Sequence, residues 1–318
     1  MDKSILIIGA CGQIGTELTL KLRENLGKNA VIASDISQGS EELMQSGPFE
    51  FINALDYDQI AAVIDKYAIS EVYLMAAMLS ATGEKFPAKA WELNMNSLFN
   101  VLNLAKEGKI KRVFWPSSIA VFGPTTPKEN TPQETVMAPT TVYGISKLAG
   151  ERWCEYYFNK FGVDVRSIRY PGIISWKTSP GGGTTDYAIE IYHKALQDGN
   201  YDSFLNKDTK LPMMYMDDAI DATLKIMNAP AENIKIRSSY NLAAISFTPK
   251  EIAEEIKHFI PKFDISYHSD FRQSIADSWP SSIDDSQARK DWGWKHQFDL
   301  EKISDNMLKN LQLKYEAL

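Results

Sequence analysis

Two hydrophobic periods alternate along the first 170 residues. Short runs such as "SILIIG", "AVIASD", "EVYLMAA", "KRVFWPSS" and "VDVRSIRYP" are apolar at successive positions, the pattern of strands covered on both faces. Between them the apolar positions fall into helical spacing. Ile14, Leu18 and Leu22 lie four apart, and Ile60, Val63, Ile64 and Tyr67 sit at i, i+3, i+4 and i+7. Longer helices are predicted across "WELNMNSLFNVLNLAKEG", stopping at Gly108, and across "VYGISKLAGERWCEYYFNKFG". Strand-then-helix units repeated in this way predict an α/β chain with a doubly wound parallel sheet of the Rossmann type. Beyond Pro171 the pattern loosens into loops and single helices. "TDYAIEIYHKALQ" is one, and "TPKEIAEEIKHFI", opened by a Thr248–Glu251 capping box with Pro249 in its first turn, is another. These segments read as a smaller lobe built onto the sheet.

Composition narrows the partners. With 34 basic and 41 acidic side chains the chain carries a formal charge of −7, which disfavours nucleic acid and anionic membrane. No apolar run approaches the ~18 residues needed to span a bilayer, and no leader peptide is visible. The two cysteines, Cys11 and Cys154, are expected to be reduced, as in a cytoplasmic protein. Four scattered histidines lack metal-ligand spacing, so neither a metal nor a histidine base is expected.

The candidate chemistry begins at "GACGQIG", with glycines at 9, 12 and 15 between a strand and a helix. That arrangement lets the backbone approach a pyrophosphate and points helix N–H groups at the anion, although any strand-to-helix turn can hold three glycines. Asp35 follows Gly15 by 20 residues at the end of the second strand, where a carboxylate accepts hydrogen bonds from the adenosine ribose. No Arg or Lys stands near it to receive a 2′-phosphate, which favours NAD over NADP. Asp56 approaches the adenine or caps the helix of "DYDQIAAVI"; the sequence leaves both open. Tyr143 and Lys147, four apart on one helix face, are preceded by Ser117 and Ser118 at a strand end.

Taken together and in this order, these residues resemble an extended short-chain dehydrogenase/reductase, and the likeness runs through the C-terminal "WPSSIDDSQARKDWGW". The resemblance implies Ser118, Tyr143 and Lys147 as catalytic residues, with Ser117 as the other candidate serine. It implies NAD held by Gly9, Gly12, Gln13, Ile14, Gly15, Asp35, Leu55, Asp56, Ala76, Ala77, Asn94, Tyr143, Lys147, Tyr170 and Ile173. It divides the chain into an NAD-binding domain, 1–172 plus 216–247, and a substrate lobe, 173–215 plus 248–318. It also implies a homodimer through the helices starting near Asn94 and Tyr143. In the implied chemistry Tyr143 is the base, Lys147 lowers its pKa and holds the ribose, and Ser118 positions the substrate hydroxyl.

Four further stretches, "LSATGEK", "RYPGIIS", "PGGGTTDYA" and "LPMMYMDDAI", resemble the short-chain L-threonine 3-dehydrogenases. That likeness implies oxidation of L-threonine at its β-hydroxyl. Ser80, Ser117, Ser118, Tyr143, Gly183, Thr184, Thr185 and Trp279 would then face the substrate, with the Gly183 N–H and the threonines at a helix start receiving its carboxylate. Two alternatives stay open: a nucleotide-sugar epimerase or reductase of the same superfamily, and a non-catalytic NAD-binding regulator.

Overall fold

The computed structural model describes residues 3–316, which form two compact units. The first comprises the chain up to Val121, Pro139–Arg169 and Thr223–Tyr240. Its elements run β1 (Ile5–Ile8), α1 (Gln13–Leu26), β2 (Val31–Asp35), α2 (Glu41–Gln45), β3 (Phe49–Phe51), α3 (Tyr57–Tyr67), β4 (Glu71–Leu74), α4 (Ser80–Lys85), α5 (Pro87–Lys106), β5 (Arg112–Phe114), β6 (Ser117–Ser118), α6 (Val142–Phe161), β7 (Asp164–Arg166) and β8 (Ile168–Tyr170). Six strands make one sheet in the order β3-β2-β1-β4-β5-β7, every neighbouring pair parallel. The order reverses between β1 and β4, which opens a crevice at their carboxyl ends, the place where doubly wound folds hold ligands. Leu98, Val101 and Leu102 of α5, Ile60 and Ile64 of α3 and Cys154 of α6 bury one face of the sheet.

"VDVRSIRYP" reads as one strand but divides at Ser167. β7 stays in the main sheet, and β8 leaves to lie between β6 and a short strand at Tyr240–Asn241. Polar anchors fix the break. The fully buried Arg166 donates to the carbonyls of Ile226 and Ala229, at 2.6 and 2.7 Å, and the Ser167 hydroxyl meets that of Ser239 at 3.0 Å. At the opposite edge from the crevice, Asp164 accepts from Arg112, Arg166 and Arg237. Burial alone would raise its pKa, but the three guanidinium groups hold it down to about 2.

The second unit comprises Phe122–Ala138, Tyr170–Ala222 and the chain from Asn241 on. Its elements continue as β9 (Gly172–Ile174), α7 (Tyr187–Gln197), β10 (Asn200–Ser203), β11 (Leu211–Tyr215), α8 (Met216–Asn228, shared with the first unit), β12 (Tyr240–Asn241), β13 (Ile245–Phe247), α9 (Pro249–Phe259), β14 (Asp264–Tyr267), α10 (Arg272–Ser278), α11 (Ser286–Trp292) and α12 (Leu300–Glu316). Helices α7, α9 and α12 pack around Ile189, Tyr192, Ile252, Ile256, Ile303 and Met307. The capping box opens α9 as its sequence predicts, Thr248 and Glu251 exchanging side-chain-to-backbone hydrogen bonds. The second unit takes in the proline-rich loop 122–138. Thr131 N–H donates to the Ser282 carbonyl, and Asp284 N–H donates back to Thr131, both at 3.0 Å.

Candidate active site

In the first unit the glycine loop closes the carboxyl end of β1. Gly9 has φ +89°, and a Cβ there would lie 2.4 Å from the backbone nitrogen of Ala76, so the chain leaving β1 runs directly against Ala76 after β4. Only glycine permits both the dihedral and the approach. Helix α1 then starts at Gln13 with Gly12 as cap, no capping side chain and no acid in its first turn, which leaves the positive end of the helix for an anion. The Gln13 side-chain nitrogen is buried without a hydrogen-bond partner, an unmet donor at the same place.

Asp35 ends β2, accepting from Cys11 N–H at 3.1 Å and from Ser37 N–H at 3.3 Å, so it also shapes the glycine loop. Burial, with the Asp35 charge beside it, pushes the Cys11 thiol up to about 11 and keeps it protonated. Leu55 N–H donates to Asn53, and Asp56 accepts from Gln59 N–H at 3.0 Å; the helix-cap reading of Asp56 is the one its side chain makes. Asn94 is nearly buried. It accepts from Met78 N–H, donates to the Met78 carbonyl and donates to the Ser146 hydroxyl, so it ties the loop after β4 to α6.

The serine, tyrosine and lysine come together on β6 and α6. Ser118 lies beside Tyr143 and favours the ionised form of its hydroxyl, and the Ser118 oxygen accepts from Ala120 N–H at 3.2 Å. Lys147 is 3% exposed, donates to the Pro116 carbonyl at 2.6 Å and lies over the Trp115 ring, 4.5 Å from its centre. It stands above the Tyr143 ring, 5.6 Å from the centroid. The protein's own groups therefore shift the pair the opposite way from the expectation. Burial pushes Tyr143 up to about 12, with the Ser118 hydrogen bond drawing it down, and burial lowers Lys147 to about 7 although Cys154 and Glu151 favour its charge.

Ser117 differs from its neighbour Ser118 in what its hydroxyl meets. Its hydroxyl is buried and donates to Glu151 at 2.6 Å, so it faces the protein interior and leaves Ser118 as the serine at Tyr143. Ser80 opens α4, a helix that the "LSATGEK" stretch did not announce, and Glu84 of that helix accepts from Val142 N–H at 2.8 Å, one residue from Tyr143. Sequence reasoning missed Glu84, Glu151 and Arg169. The one signal available was position: Glu151 follows Lys147 by four residues on the same helix face.

In the second unit, α7 starts at Tyr187, three residues after Thr184, with Asp186 as its cap. The Gly183 N–H, expected to meet a substrate carboxylate, donates instead to the Asp186 carboxylate at 2.9 Å, as does Gly181 N–H at 2.6 Å. Short, flexible glycines let the loop fold back onto the nearest anion in its own chain. Thr184 is buried, and the Thr185 methyl lies over Gly172. Tyr170 is buried and Ile173 half-buried along the strands flanking Pro171. Trp279 packs partly against the core of its own unit. Among the described residues no cluster of three or more His, Cys, Asp or Glu is arranged to hold a metal, and no helix is long and apolar enough to cross a membrane.

The model of the NAD dependent epimerase/dehydratase family matches residues 5–243. The chain belongs to that family. An uncharacterized epimerase/dehydratase of Staphylococcus haemolyticus is 49% identical over 98% of both chains. Among solved structures, a GalE-like L-threonine dehydrogenase from Cupriavidus necator in its holo form is 56% identical, with a TM-score of 0.94 over 97% of this chain and 99% of that one. A monomeric L-threonine 3-dehydrogenase from a metagenome is 48% identical, with a TM-score of 0.93 over 98% and 99%. The protein is thus an oxidoreductase-type member of an NAD-dependent family, with NAD as its cofactor. The residues fit that cofactor: the uncapped α1, the unmet Gln13 donor and Asp35, with no basic side chain among residues 36–40, match a pyrophosphate and a free ribose.

Proposed function

We propose that the protein oxidises L-threonine at its β-hydroxyl to 2-amino-3-oxobutanoate. The observation that carries this reading is the Tyr143 hydroxyl on Ser118 with Lys147 above its ring, in a chain 56% identical to an L-threonine dehydrogenase. NAD supplies the hydride acceptor. Ser118 orients the substrate oxygen, Tyr143 takes the hydroxyl proton, and Lys147 holds the ribose and balances the phenolate. With NAD⁺ bound, the C–H electron pair would leave as hydride, so that alcohol and NAD⁺ would give ketone, NADH and one proton. Thr184, Thr185 and Trp279 are candidates for the amino-acid end of the substrate. The same reading places the protein in the cytoplasm. It includes a homodimer through α5 and α6, where Trp153, Tyr156 and Phe161 stay 39–47% exposed although their rings contact one another.

The deciding experiment follows NADH absorbance with L-threonine, L-allo-threonine, L-serine and D-threonine. L-Threonine is expected to be the best of the four, and nucleotide sugars should not raise the melting temperature with NAD present. No NADH from any of the four would overturn the substrate while leaving the cofactor in place.

The pH profile follows from the shifted pair. With Lys147 near 7 and Tyr143 near 12, both groups are neutral over most of that interval. The phenolate–ammonium form holds the same number of protons as the neutral pair, so it is reached by internal transfer and its population is flat with pH. Below pH ~7 the pair gains a proton, and the phenolate becomes accessible only after losing it. The kcat/KM for the alcohol is therefore expected to fall about tenfold per unit below pH ~7 and to level off above it. A profile falling steadily from pH 7 to 10 would contradict the assignment.

A further inference from the structure

Behind the reacting residues lies a second layer that the reaction as described does not use. Glu151 and Arg169 are 0% and 1% exposed. The carboxylate accepts twice from Arg169, at 2.9 and 2.8 Å, and once from the Ser117 hydroxyl at 2.6 Å. A buried ion pair is costly to desolvate and contributes little net stability by itself, which makes its position informative. One face of α6 presents Tyr143, Lys147 and Glu151 at i, i+4 and i+8, and these meet three consecutive residues: Lys147 the Pro116 carbonyl, Glu151 the Ser117 hydroxyl, Tyr143 the Ser118 hydroxyl. Strand β6 is only two residues long, so ladder hydrogen bonds alone give it little rigidity.

We propose that Glu151 is a positioning residue for this reaction, anchoring Ser117 so that Ser118 stays against Tyr143 and placing a fixed negative charge one helical turn from Lys147. The inference rests on the reading of Tyr143 as the base. It has a geometric half, carried by the Ser117 hydroxyl, and an electrostatic half, carried by the charge. The ionisable groups around Lys147 are Tyr143, Glu151 and Cys154 on α6 and Arg169 on β8; the segment it touches, Trp115–Ser118, has none. Burial keeps the Cys154 thiol neutral, so Glu151 is the anion that favours the ammonium form. Removing that charge lowers the first proton loss of the Lys147–Tyr143 pair.

Two variants separate the halves. Ser117→Ala removes the anchor and keeps the charge: kcat is expected to fall roughly tenfold, with the acid limb of the pH profile unmoved. Glu151→Gln keeps an acceptor for Ser117 and removes the charge: the acid limb is expected about one unit lower, with a lower plateau. In both, NAD affinity from tryptophan fluorescence should stay within about twofold, which a general loss of structure would not allow. If Glu151→Gln leaves Arg169 too poorly compensated to fold, Ser117→Ala still decides the geometric half. Wild-type kcat in Ser117→Ala, or an unmoved limb in folded Glu151→Gln, would overturn the corresponding half. Should Tyr143→Phe retain activity, the underlying reading fails first, and the two failures are told apart.

Discussion

Replacing Tyr143 by phenylalanine is expected to lower kcat by 10²-fold or more while leaving NAD affinity within about twofold. The substitution deletes one oxygen and retains the ring over which Lys147 stands. Lys147 keeps its hydrogen bond to the Pro116 carbonyl, which does not involve the phenol, so the residue assigned to the ribose remains in place. What is lost is the only group on Ser118 able to take a proton from an alcohol. Stability should change by no more than about 1 kcal/mol, because burial already disfavours ionisation of this hydroxyl and its one side-chain partner, Ser118, retains Ala120 N–H. The measurement is initial NADH production at saturating L-threonine beside a fluorescence titration with NAD. Near-normal turnover would remove Tyr143 from the chemistry; lost NAD binding would show that the substitution disturbed the fold.

The sheet was legible because both periods are strong where elements are buried. Strand β1 is apolar throughout and β2 and β4 are buried along most of their length, and α3 and α5 show clean helical faces. The break at Ser167 was not legible, since its cause is long-range: Arg166 and Ser167 bind carbonyls and hydroxyls some sixty to seventy residues away. Helix α4 was missed because "SATGEK" carries a glycine and no apolar repeat, and it is fastened from outside by Val142 of α6, whose N–H donates to Glu84. In the candidate site, Tyr143, Lys147 and Ser118 announced themselves by type and spacing. Glu151 did not, because a glutamate in a helix ordinarily reads as its solvated face; only the fold brings Arg169 to it. Gly183 shows the converse case. The sequence displayed a free amide at a helix start, and the chain's own Asp186 takes it.

Gly144→Ala should do severe damage at the site. A Cβ at Gly144 would lie 2.1 Å from the Ala120 carbonyl oxygen and 2.8 Å from Pro139 Cβ. The first contact is with backbone, which cannot swing aside as a side chain would. Ala120 belongs to the turn Ile119–Val121 that follows Ser118 directly, and it holds Ser118 through its own N–H. Relief must come from lifting the start of α6 off this turn, yet that start is pinned by Thr141, which caps Gly144 N–H at 3.1 Å, and by Glu84 on Val142. Overpacking of this kind costs about 1–3 kcal/mol where the surroundings yield. Here the yielding movement carries Tyr143 away from Ser118. The variant is therefore expected to melt several degrees lower and to lose at least as much kcat as Tyr143→Phe, a displacement of about 1 Å being worth ~10²-fold. Because the glycine loop follows β1 and Asp35 ends β2, away from α6, NAD affinity should drop far less than turnover. Wild-type melting and turnover together would mean that α6 moves freely over the turn, and that its close seating on Ala120 has no part in holding Tyr143 to Ser118.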